Sequence, residues 1–476
     1  MGSNKCKFFE CYFESMKGNI MAKFIFGNVI LKPSDATTPD RYTLVNLYSF
    51  RRMLITEREY HLICELSTKC LRNATKEEQT LLKTLYEKKQ ILTDDTKRIY
   101  DKQRQEILNE KIAKIPVLIN NISITLSFSC NFSCSYCYQR NFTEKTKTMT
   151  KEDIDQIIRY IEYINKGIDY RNSLNSVSFN GGEATLAKNI DLINYVLKKF
   201  EGSKTQFYLL TNGSRLIDID NQLDLSRFSK IQISLDGDEK IIPLINKTDG
   251  NAFERIVQGI HLASKKCPNV EIACMITREL IARFDEFYRR LKDEGFLETK
   301  NIIIKLGYIS DFKEGELDTH FLSLTELAAF RKEFHRKGYD RHIFINPLFE
   351  TRYLSKILYA KSTKGLYFNE FSCGLLEGRT LMFTPDKKVH WCICADQENK
   401  PIGNYYQMRK KDIEMIELQL HRNVHEMEKC SCCDLKYLCT GGCPLYSLTQ
   451  KNNLTDSYCG LYQNEEFVNN LEEYIW

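Results

Sequence analysis

Six short apolar segments recur between residues 118 and 310, and they constrain the fold of this chain more than any other feature of its sequence. Stretches with helical periodicity separate them, such as the one with isoleucines three or four residues apart that follows Thr150 and Asp153, a helix-capping pair. Regular alternation of strand and helix is typical of a parallel sheet, so six repeats predict an α/β fold, a partial (β/α)6 barrel. The predicted strands are Ser123–Phe128, Ser176–Asn180, Phe207–Thr211, Lys230–Leu235, Val270–Ile276 and Ile302–Leu306.

The loop after the first predicted strand contains three cysteines within eight residues, Cys130, Cys134 and Cys137. Iron–sulfur clusters are normally held by four thiolates. Three thiolates leave one iron with an open position, as in a catalytic metal site. A zinc site is the alternative, but zinc prefers a closed set of four ligands, and no fourth ligand lies nearby in the sequence. The loop follows a strand directly, and in barrels of this kind the chemistry lies at the C-terminal strand ends.

This Cys-x3-Cys-x2-Cys loop resembles that of the radical S-adenosylmethionine (SAM) superfamily. The resemblance implies that SAM chelates the open iron, that one electron cleaves it to a 5′-deoxyadenosyl radical, and that this radical abstracts a hydrogen from the substrate. It also implies cofactor contacts at the ends of the next strands, although Ser234 and Asp236 are equally compatible with helix caps. The expected cofactor-binding residues are Tyr136, Gly181, Gly182, Glu183, Asn212, Ser234 and Asp236. No catalytic base is identified.

A second group of nine cysteines lies between residues 373 and 459. Its Cys-x2-Cys-x5-Cys-x3-Cys spacing resembles the SPASM extension, which carries auxiliary [4Fe–4S] clusters, and so implies three clusters in all. A zinc ribbon, the alternative, needs only four cysteines and leaves five unexplained. The resemblance assigns a distal cluster to Cys430, Cys433, Cys439 and Cys459. It assigns a nearer cluster to Cys373, Cys392 and Cys443, with Cys394 as the fourth ligand unless one iron stays open.

Residues 22–112 combine predicted strands with two capping boxes that begin helices, Thr56 with Glu59 and Thr75 with Glu78. The predicted strands are Phe24–Leu31 and Tyr42–Tyr48, with a short strand or wing at Ile91–Asp94. This order resembles the winged-helix-like element with which peptide-modifying enzymes hold a leader peptide; a plain structural cap is the alternative. The predicted domains are an extension (1–21), this recognition domain (22–112), the TIM-like radical SAM barrel (113–345) and the cysteine-rich SPASM domain (346–476).

Composition excludes several other classes of protein. Eighteen cysteines without an apolar signal sequence favour metal chemistry in a reducing cytoplasm over disulfides. The net charge of +5, from 68 basic and 63 acidic side chains, argues against a nucleic-acid partner. No apolar run approaches the ~18 residues of a membrane span.

These features together predict a cytoplasmic maturase that installs thioether cross-links in a ribosomally made precursor peptide. Its expected partners are that peptide, bound by its leader, and an electron donor such as flavodoxin or ferredoxin. Carbon–carbon cross-linking or another oxidative modification is the alternative, and a non-catalytic iron–sulfur electron-transfer or binding protein is a distant one. Oxidation to formylglycine is disfavoured, because that related family has an acidic residue where Ile393 follows Cys392.

Overall fold

The structure is a computed structural model. It describes residues 22–25, 28–31, 41–66, 74–115, 118–137, 139, 144–248, 250–308, 322–346, 373, 379–392, 401–420, 422–433, 435–451, 453 and 455–460. The predictions for residues 1–21 and for Cys394 lie outside these residues. No helix in the described ranges combines the length and the apolar character needed to cross a membrane.

The chain divides into two compact units. The first unit is drawn from Met1–Ile115, Pro347–Cys373 and His421–Trp476, and the second from Pro116–Asn346 and Gly374–Leu420. The three-domain division expected from the sequence stays a prediction.

The first unit contains an antiparallel four-stranded sheet in the order β1-β2-β3-β4. Its strands are β1 (Ala22–Ile25), β2 (Asn28–Leu31), β3 (Arg41–Asn46) and β4 (Arg52–Thr56). The segment predicted as one strand, Phe24–Leu31, is therefore a hairpin of two. Three helices follow, α1 (Glu57–Leu66), α2 (Lys76–Glu87) and α3 (Asp94–Ala113). Sheet and helices share a buried core that includes Ile30, Leu44, Ile55, Ile63 and Leu81.

Both predicted capping boxes are present at the starts of α1 and α2. The Thr56 amide donates to the Glu59 carboxylate at 2.7 Å, and Thr75 and Glu78 cap each other in the same way. The wing predicted at Ile91–Asp94 is wrong. Asp94 is the first residue of α3, because the side chain of Thr93 accepts a hydrogen bond from the Thr96 amide and so caps that helix.

The first unit also contains three short C-terminal helices, α13 (Glu428–Ser431), α14 (Lys436–Cys439) and α15 (Pro444–Lys451). Lys436 of α14 has a side chain only 3% exposed, and its ammonium lies 2.9 Å from the Asp101 carboxylate of α3. The Tyr437 hydroxyl donates to the same carboxylate, and the Arg104 guanidinium stacks 3.8 Å from the centre of the Tyr437 ring. These four residues, the Asp101–Lys436 network, join the helices after the first sheet to the cysteine-rich segment.

The second unit is built on a ten-stranded sheet in the order β11-β10-β9-β8-β7-β6-β5-β12-β13-β14. Strands β5 to β12 run parallel along this order, and β13 and β14 are antiparallel additions. Within the part of the chain that the structure describes, β11 and β14 are its edges, so the sheet is open, a partial TIM-like core. Its strands are β5 (Asn121–Thr125), β6 (Ser176–Asn180), β7 (Gln206–Thr211), β8 (Lys230–Ser234), β9 (Val270–Met275), β10 (Ile302–Gly307), β11 (Ile343–Ile345), β12 (Thr380–Phe383), β13 (Lys388–His390) and β14 (Gly403–Asn404).

Amphipathic helices pack on the sheet of the second unit. Helix α4 begins where the sequence predicts, because Thr150 and Asp153 form a capping box, and it buries Ile154, Ile157 and Ile161. The helices are α4 (Lys151–Ile164), α5 (Tyr170–Ser173), α6 (Ala187–Lys199), α7 (Ile242–Ile245), α8 (Ala252–Lys266), α9 (Arg278–Ala282), α10 (Phe284–Asp293), α11 (Leu324–Arg336) and α12 (Lys410–Leu420). The six predicted strands are confirmed as β5 to β10, with ends that differ by up to three residues.

Candidate functional site

The three cysteines of the first loop lie after β5, next to the C-terminal ends of β6, β7 and β8. The Leu126 amide donates to the Asn180 carbonyl at the end of β6, and the Glu183 amide donates to the Ser129 carbonyl at 2.7 Å. Since parallel strands end at one edge of a sheet, the cysteine loop and the Gly181-Gly182-Glu183 turn meet there. The sequence-predicted cofactor residues on β6, β7 and β8 are therefore neighbours in space.

The thiols of this loop lie in an environment that suits cluster ligands. Loss of hydration raises the pKa of both Cys130 and Cys134 to about 12, so binding iron is what would hold them as thiolates. Two N–H groups already point at sulfur: the Phe132 amide lies 3.3 Å from Cys130 Sγ, and the Asn246 amide lies 3.1 Å from Cys134 Sγ. No three potential ligand side chains of the described residues surround one point closely enough to hold a single metal ion.

Glu183 is buried at the end of β6, where four donors hold its carboxylate. Oε1 accepts from the Thr185 amide at 2.8 Å and from the Thr185 and Thr211 hydroxyls. Among the described residues, Oε2 accepts from the Asn212 amide alone, at 2.7 Å. A carboxylate oxygen has two lone pairs. The second lone pair of Oε2 is therefore available to a ligand's ammonium group, which fits the role expected from the sequence.

Gly181 and Gly182 adopt positive φ angles of 78° and 50°, and both have close neighbours on the cysteine-loop side. A Cβ on Gly182 would lie 2.0 Å from the Ser129 carbonyl oxygen, and one on Gly181 would lie 2.2 Å from Cγ2 of Thr125. The Gly182 amide donates to the side chain of Gln139 at 2.7 Å. Only glycine permits this close approach between the turn and the cysteine loop.

Replacing Gly182 with Ala is expected to displace the Ser129 carbonyl and, with it, Cys130. We expect less iron after reconstitution and a loss of ~1–3 kcal/mol in the free energy of unfolding, as for other overpacked sites. Iron analysis and thermal unfolding measure both. Gly202→Ala is the matched control, because Gly202 has a φ of 78° but nothing within 4 Å of its Cβ position. Equal iron losses in the two variants would contradict the steric argument.

Asp236 accepts three hydrogen bonds from protein groups. Its Oδ2 accepts from the Tyr136 hydroxyl and from the Asn246 side-chain amide at 2.8 Å, and Oδ1 accepts from the Met275 main-chain amide at 2.9 Å. Burial raises the pKa of Asp236, and these hydrogen bonds act in the opposite direction. Ser234 is half-buried at the end of β8. Cofactor contacts by these residues stay predictions.

Asn212 connects the end of β7 to the cysteine loop. Its side-chain amide donates to the Asn131 side chain at 2.9 Å, and its side-chain hydrogen bond to Cys130 acts to lower that thiol's pKa. Asn131 in turn donates to Ser214 at 2.9 Å. This chain of amides holds the cysteine loop against β7.

The second cysteine group is organised around a buried arginine, Arg422, in the first unit. Its guanidinium donates to the carbonyl oxygens of Gly441 at 3.0 Å, Gly442 at 3.3 Å and Asp456 at 3.0 Å. Burial lowers the pKa of Arg422 to about 10, and four nearby cysteine thiols act in the opposite direction. Those thiols are Cys373, Cys430, Cys439 and Cys443.

The other predicted ligands of the auxiliary clusters are divided between the two units. Cys459 lies near Cys430. Burial raises the pKa of the Cys430 thiol to about 11, and the neighbouring Cys459 thiol acts in the same direction. The Cys433 amide donates to the Cys430 carbonyl in a tight turn. Cys392 belongs to the second unit. The assignment of these cysteines to two clusters stays a prediction.

Several supporting residues were not predicted from the sequence. Thr185 and Thr211 hold Glu183, Asn246 donates to Cys134, and Arg422 lies among the C-terminal thiols. Thr211 directly precedes Asn212, an expected cofactor-binding residue, so the sequence did point to this position. No sequence pattern marks Asn246 or Arg422. Only the folded structure places Asn246 next to the Cys134 sulfur and Arg422 near the C-terminal thiols.

Comparison with known proteins decides the family of the cysteine-loop region. The profile of the Radical SAM superfamily matches residues 124–291, which contain the cysteine loop and β6 to β9. Residues 124–291 form a radical SAM domain. Such a domain uses SAM and one [4Fe–4S] cluster, which the thiols and the Glu183 site described above suit.

Curated relatives match part of the chain. A "Probable GTP 3′,8-cyclase" from Pyrococcus abyssi is 27% identical over 220 residues, which are 46% of this chain and 66% of that protein. A protein of the same name from Pyrococcus horikoshii is 28% identical over 148 residues, 31% of this chain and 44% of that protein. The chain thus spans less than two thirds of the length of these relatives.

Solved structures extend the similarity beyond the radical SAM domain. Native anSMEcpe with bound AdoMet and Cp18Cys peptide has a TM-score of 0.51 and 20% identity, covering 73% of this chain and 95% of that one. Streptococcus suis SuiB bound to precursor peptide SuiA has a TM-score of 0.51 and 15% identity, covering 92% and 97% of the two chains. At these identities the similarity shows the fold.

Proposed function

We propose that this chain is a radical SAM enzyme that modifies a ribosomally made precursor peptide, most specifically by forming a thioether between a cysteine sulfur and a carbon atom. The observation that carries the radical chemistry is the meeting of three thiols and the Glu183 carboxylate at one sheet edge. The peptide substrate is supported by the fold similarity to SuiB and anSMEcpe, both of which were solved with peptides bound.

The chain's own residues have distinct tasks in this proposal. Cys130, Cys134 and Cys137 hold the cluster, and Glu183 accepts the amino group of SAM. When bound, the cluster and SAM together supply a 5′-deoxyadenosyl radical that removes one hydrogen atom from the peptide. Thioether formation then also requires the thiol proton to leave and one electron to pass to an acceptor. We propose the C-terminal cysteines as ligands of the two auxiliary clusters that provide this acceptor.

The first experiment tests the radical chemistry alone. The chain is reconstituted with iron and sulfide under argon, reduced, and incubated with SAM. We expect 5′-deoxyadenosine and about twelve irons per chain for three four-iron clusters. Absence of 5′-deoxyadenosine would support the remaining alternative, a non-catalytic iron–sulfur electron-transfer or binding protein. Flavodoxin or ferredoxin should replace the chemical reductant.

The second experiment identifies the product. Short peptides encoded next to the gene for this chain are tested as candidate precursors, each co-expressed with the chain and analysed by mass spectrometry. A cross-link removes two hydrogen atoms, and thiol alkylation separates the two candidates, because a thioether consumes a thiol whereas a carbon–carbon link does not. GTP is tested in parallel, since the curated relatives are named for a reaction on GTP. Conversion of GTP with an unchanged peptide would overturn the proposal.

We propose that the leader of such a peptide binds to the first unit along β4, which lies at the edge of the described four-stranded sheet. The Asn46 amide donates to the Arg51 carbonyl at 3.0 Å and closes the β3–β4 hairpin. Bonded and non-bonded pairs alternate along antiparallel strands, so the Thr43–Leu54 pair is non-bonded and the Leu54 N–H faces away from β3. The Leu54 side chain is 58% exposed. An added peptide strand would use this N–H.

Replacing Leu54 with Pro is expected to weaken leader binding about tenfold or more, through one lost hydrogen bond and the bulk of the ring at the edge. The β3–β4 ladder should survive, because the lost N–H does not face β3. Leu54→Ala is the matched control, since it keeps the N–H and loses only apolar contact. Fluorescence anisotropy with the labelled precursor peptide measures both. Equal weakening in the two variants would contradict strand addition and favour the plain structural cap.

A further inference from the structure

Asn246 follows α7 directly and connects three parts of the radical SAM domain. Its side chain is buried, and the two hydrogens of Nδ2 have separate acceptors: Cys134 Sγ at 3.1 Å and Asp236 Oδ2 at 2.8 Å. The main chain around it is also joined to the cysteine loop. The Ser133 amide donates to the Asn246 carbonyl at 3.1 Å, and the Ser135 amide donates to the Ile245 carbonyl at 2.9 Å.

The orientation of the Asn246 amide follows from its partners. The Asp236 carboxylate accepts hydrogen bonds from Tyr136 and the Met275 amide as well as from Asn246, so it requires the nitrogen of Asn246 on its side. The second hydrogen of that nitrogen is then directed at Cys134. Asp236 therefore orients Asn246, and Asn246 delivers the hydrogen bond to sulfur.

A hydrogen bond to a ligating sulfur changes the electronic balance of an iron–sulfur cluster. The N–H dipole stabilises negative charge on the sulfur, and the reduced cluster carries one more negative charge than the oxidised cluster. The bond therefore favours reduction. Partners outside the ligand set commonly tune metal sites in this way.

We propose that Asn246 is a positioning residue that raises the reduction potential of the cluster held by Cys130, Cys134 and Cys137, through its hydrogen bond to Cys134 Sγ, with Asp236 fixing its orientation. This inference rests on the cluster assignment of the proposed function. The reaction concerned is the addition of one electron to the oxidised cluster by an external donor, with no bond made or broken.

The test is a redox titration of the reconstituted chain, followed by electron paramagnetic resonance of the reduced cluster. All variants, including the parent, carry Cys→Ala changes at every predicted auxiliary-cluster ligand, so that the remaining signal comes from the first loop. These ligands are Cys373, Cys392, Cys394, Cys430, Cys433, Cys439, Cys443 and Cys459. For Asn246→Leu we expect a potential lower than the parent's. A tenfold fall in the reduced-to-oxidised ratio at fixed solution potential corresponds to ~59 mV for one electron.

Asn165→Leu is the matched control. Asn165 is also a buried asparagine that follows a helix, α4, but its amide donates to the Ile119 carbonyl at 2.7 Å. Asn246→Ser, a smaller change, covers the case in which the leucine variant fails to fold. A lower potential with iron retained, absent in the control, supports the proposal.

Two results would overturn it. An unchanged potential in both Asn246 variants with iron retained excludes tuning. Loss of iron from both Asn246 variants, with iron retained in Asn165→Leu, leaves Asn246 a purely structural role. A parent without any iron at the first loop would instead overturn the proposed function, so the two failures are distinguishable.

Discussion

Replacing Cys130, Cys134 and Cys137 together with Ala removes about four irons per chain and abolishes 5′-deoxyadenosine formation, because all three ligands of the SAM-binding cluster are gone. The expected loss of activity is complete, since no other described group near Glu183 offers thiolates. Iron analysis and chromatography of the SAM reaction mixture measure the two effects. About eight irons should remain if the C-terminal cysteines hold two further clusters.

Cys267→Ala is the matched control for this experiment. Cys267 is buried in the second unit and its thiol donates to the Phe228 carbonyl at 3.2 Å, so its loss perturbs packing but removes no proposed ligand. It should keep its iron and form 5′-deoxyadenosine. Activity that survives in the triple variant would refute the assignment of the first loop, whatever the control shows.

Replacing Arg422 with Met is expected to remove most auxiliary iron, so that the total falls from about twelve toward about four per chain. The guanidinium donates to the buried carbonyl groups of Gly441 and Gly442 and to the half-buried one of Asp456, and leaving these unpaired costs on the order of 3–5 kcal/mol. The positive charge of Arg422 also offsets the negative charge of thiolate-ligated clusters. Cleavage of SAM should persist because the first loop is untouched.

Two further variants define the cause of this effect. Arg422→Lys keeps the charge but cannot reproduce the planar set of donors, so it should lie between the parent and Arg422→Met. Arg331→Met removes a buried arginine from α11 in the other unit and should keep its auxiliary iron. Auxiliary iron at the parent level in Arg422→Met would contradict the role of Arg422. Iron lost equally from Arg331→Met would indicate general destabilisation.

Much of the fold could be predicted from the sequence, because its determinants are local. The strands β5 to β10 are apolar runs of a few residues, and the capping boxes at Thr75 and Thr150 mark helix starts within one turn. The prediction of a wing at Ile91–Asp94 was wrong because it also relied on a local pattern. The apolar pair Ile91 and Leu92 resembles a short strand, but Thr93 caps a helix.

The candidate site was only partly predictable. Local spacing in the sequence identifies the three cysteines of the first loop and Glu183. The surroundings of Asp236, by contrast, depend on contacts between residues about one hundred positions apart. Tyr136 and Asp236 meet because β5 and β8 end at the same sheet edge. Asp236 then accepts three hydrogen bonds from protein donors, which no local sequence pattern reveals.

The Asp101–Lys436 network has a consequence for attempts to exchange the N-terminal segment between chains of this architecture. Lys436 and Tyr437 stand between Cys433 and Cys439 in the sequence, yet both contact Asp101 of α3, and Tyr437 also stacks with Arg104 of the same helix. A chimera that imports a foreign N-terminal segment would leave a buried ammonium without its carboxylate, a defect of roughly 3–5 kcal/mol. Such a chimera is expected to fold only when the junction lies before α3, so that α3 is kept, or when α3 and the segment that carries Lys436 and Tyr437 are exchanged together.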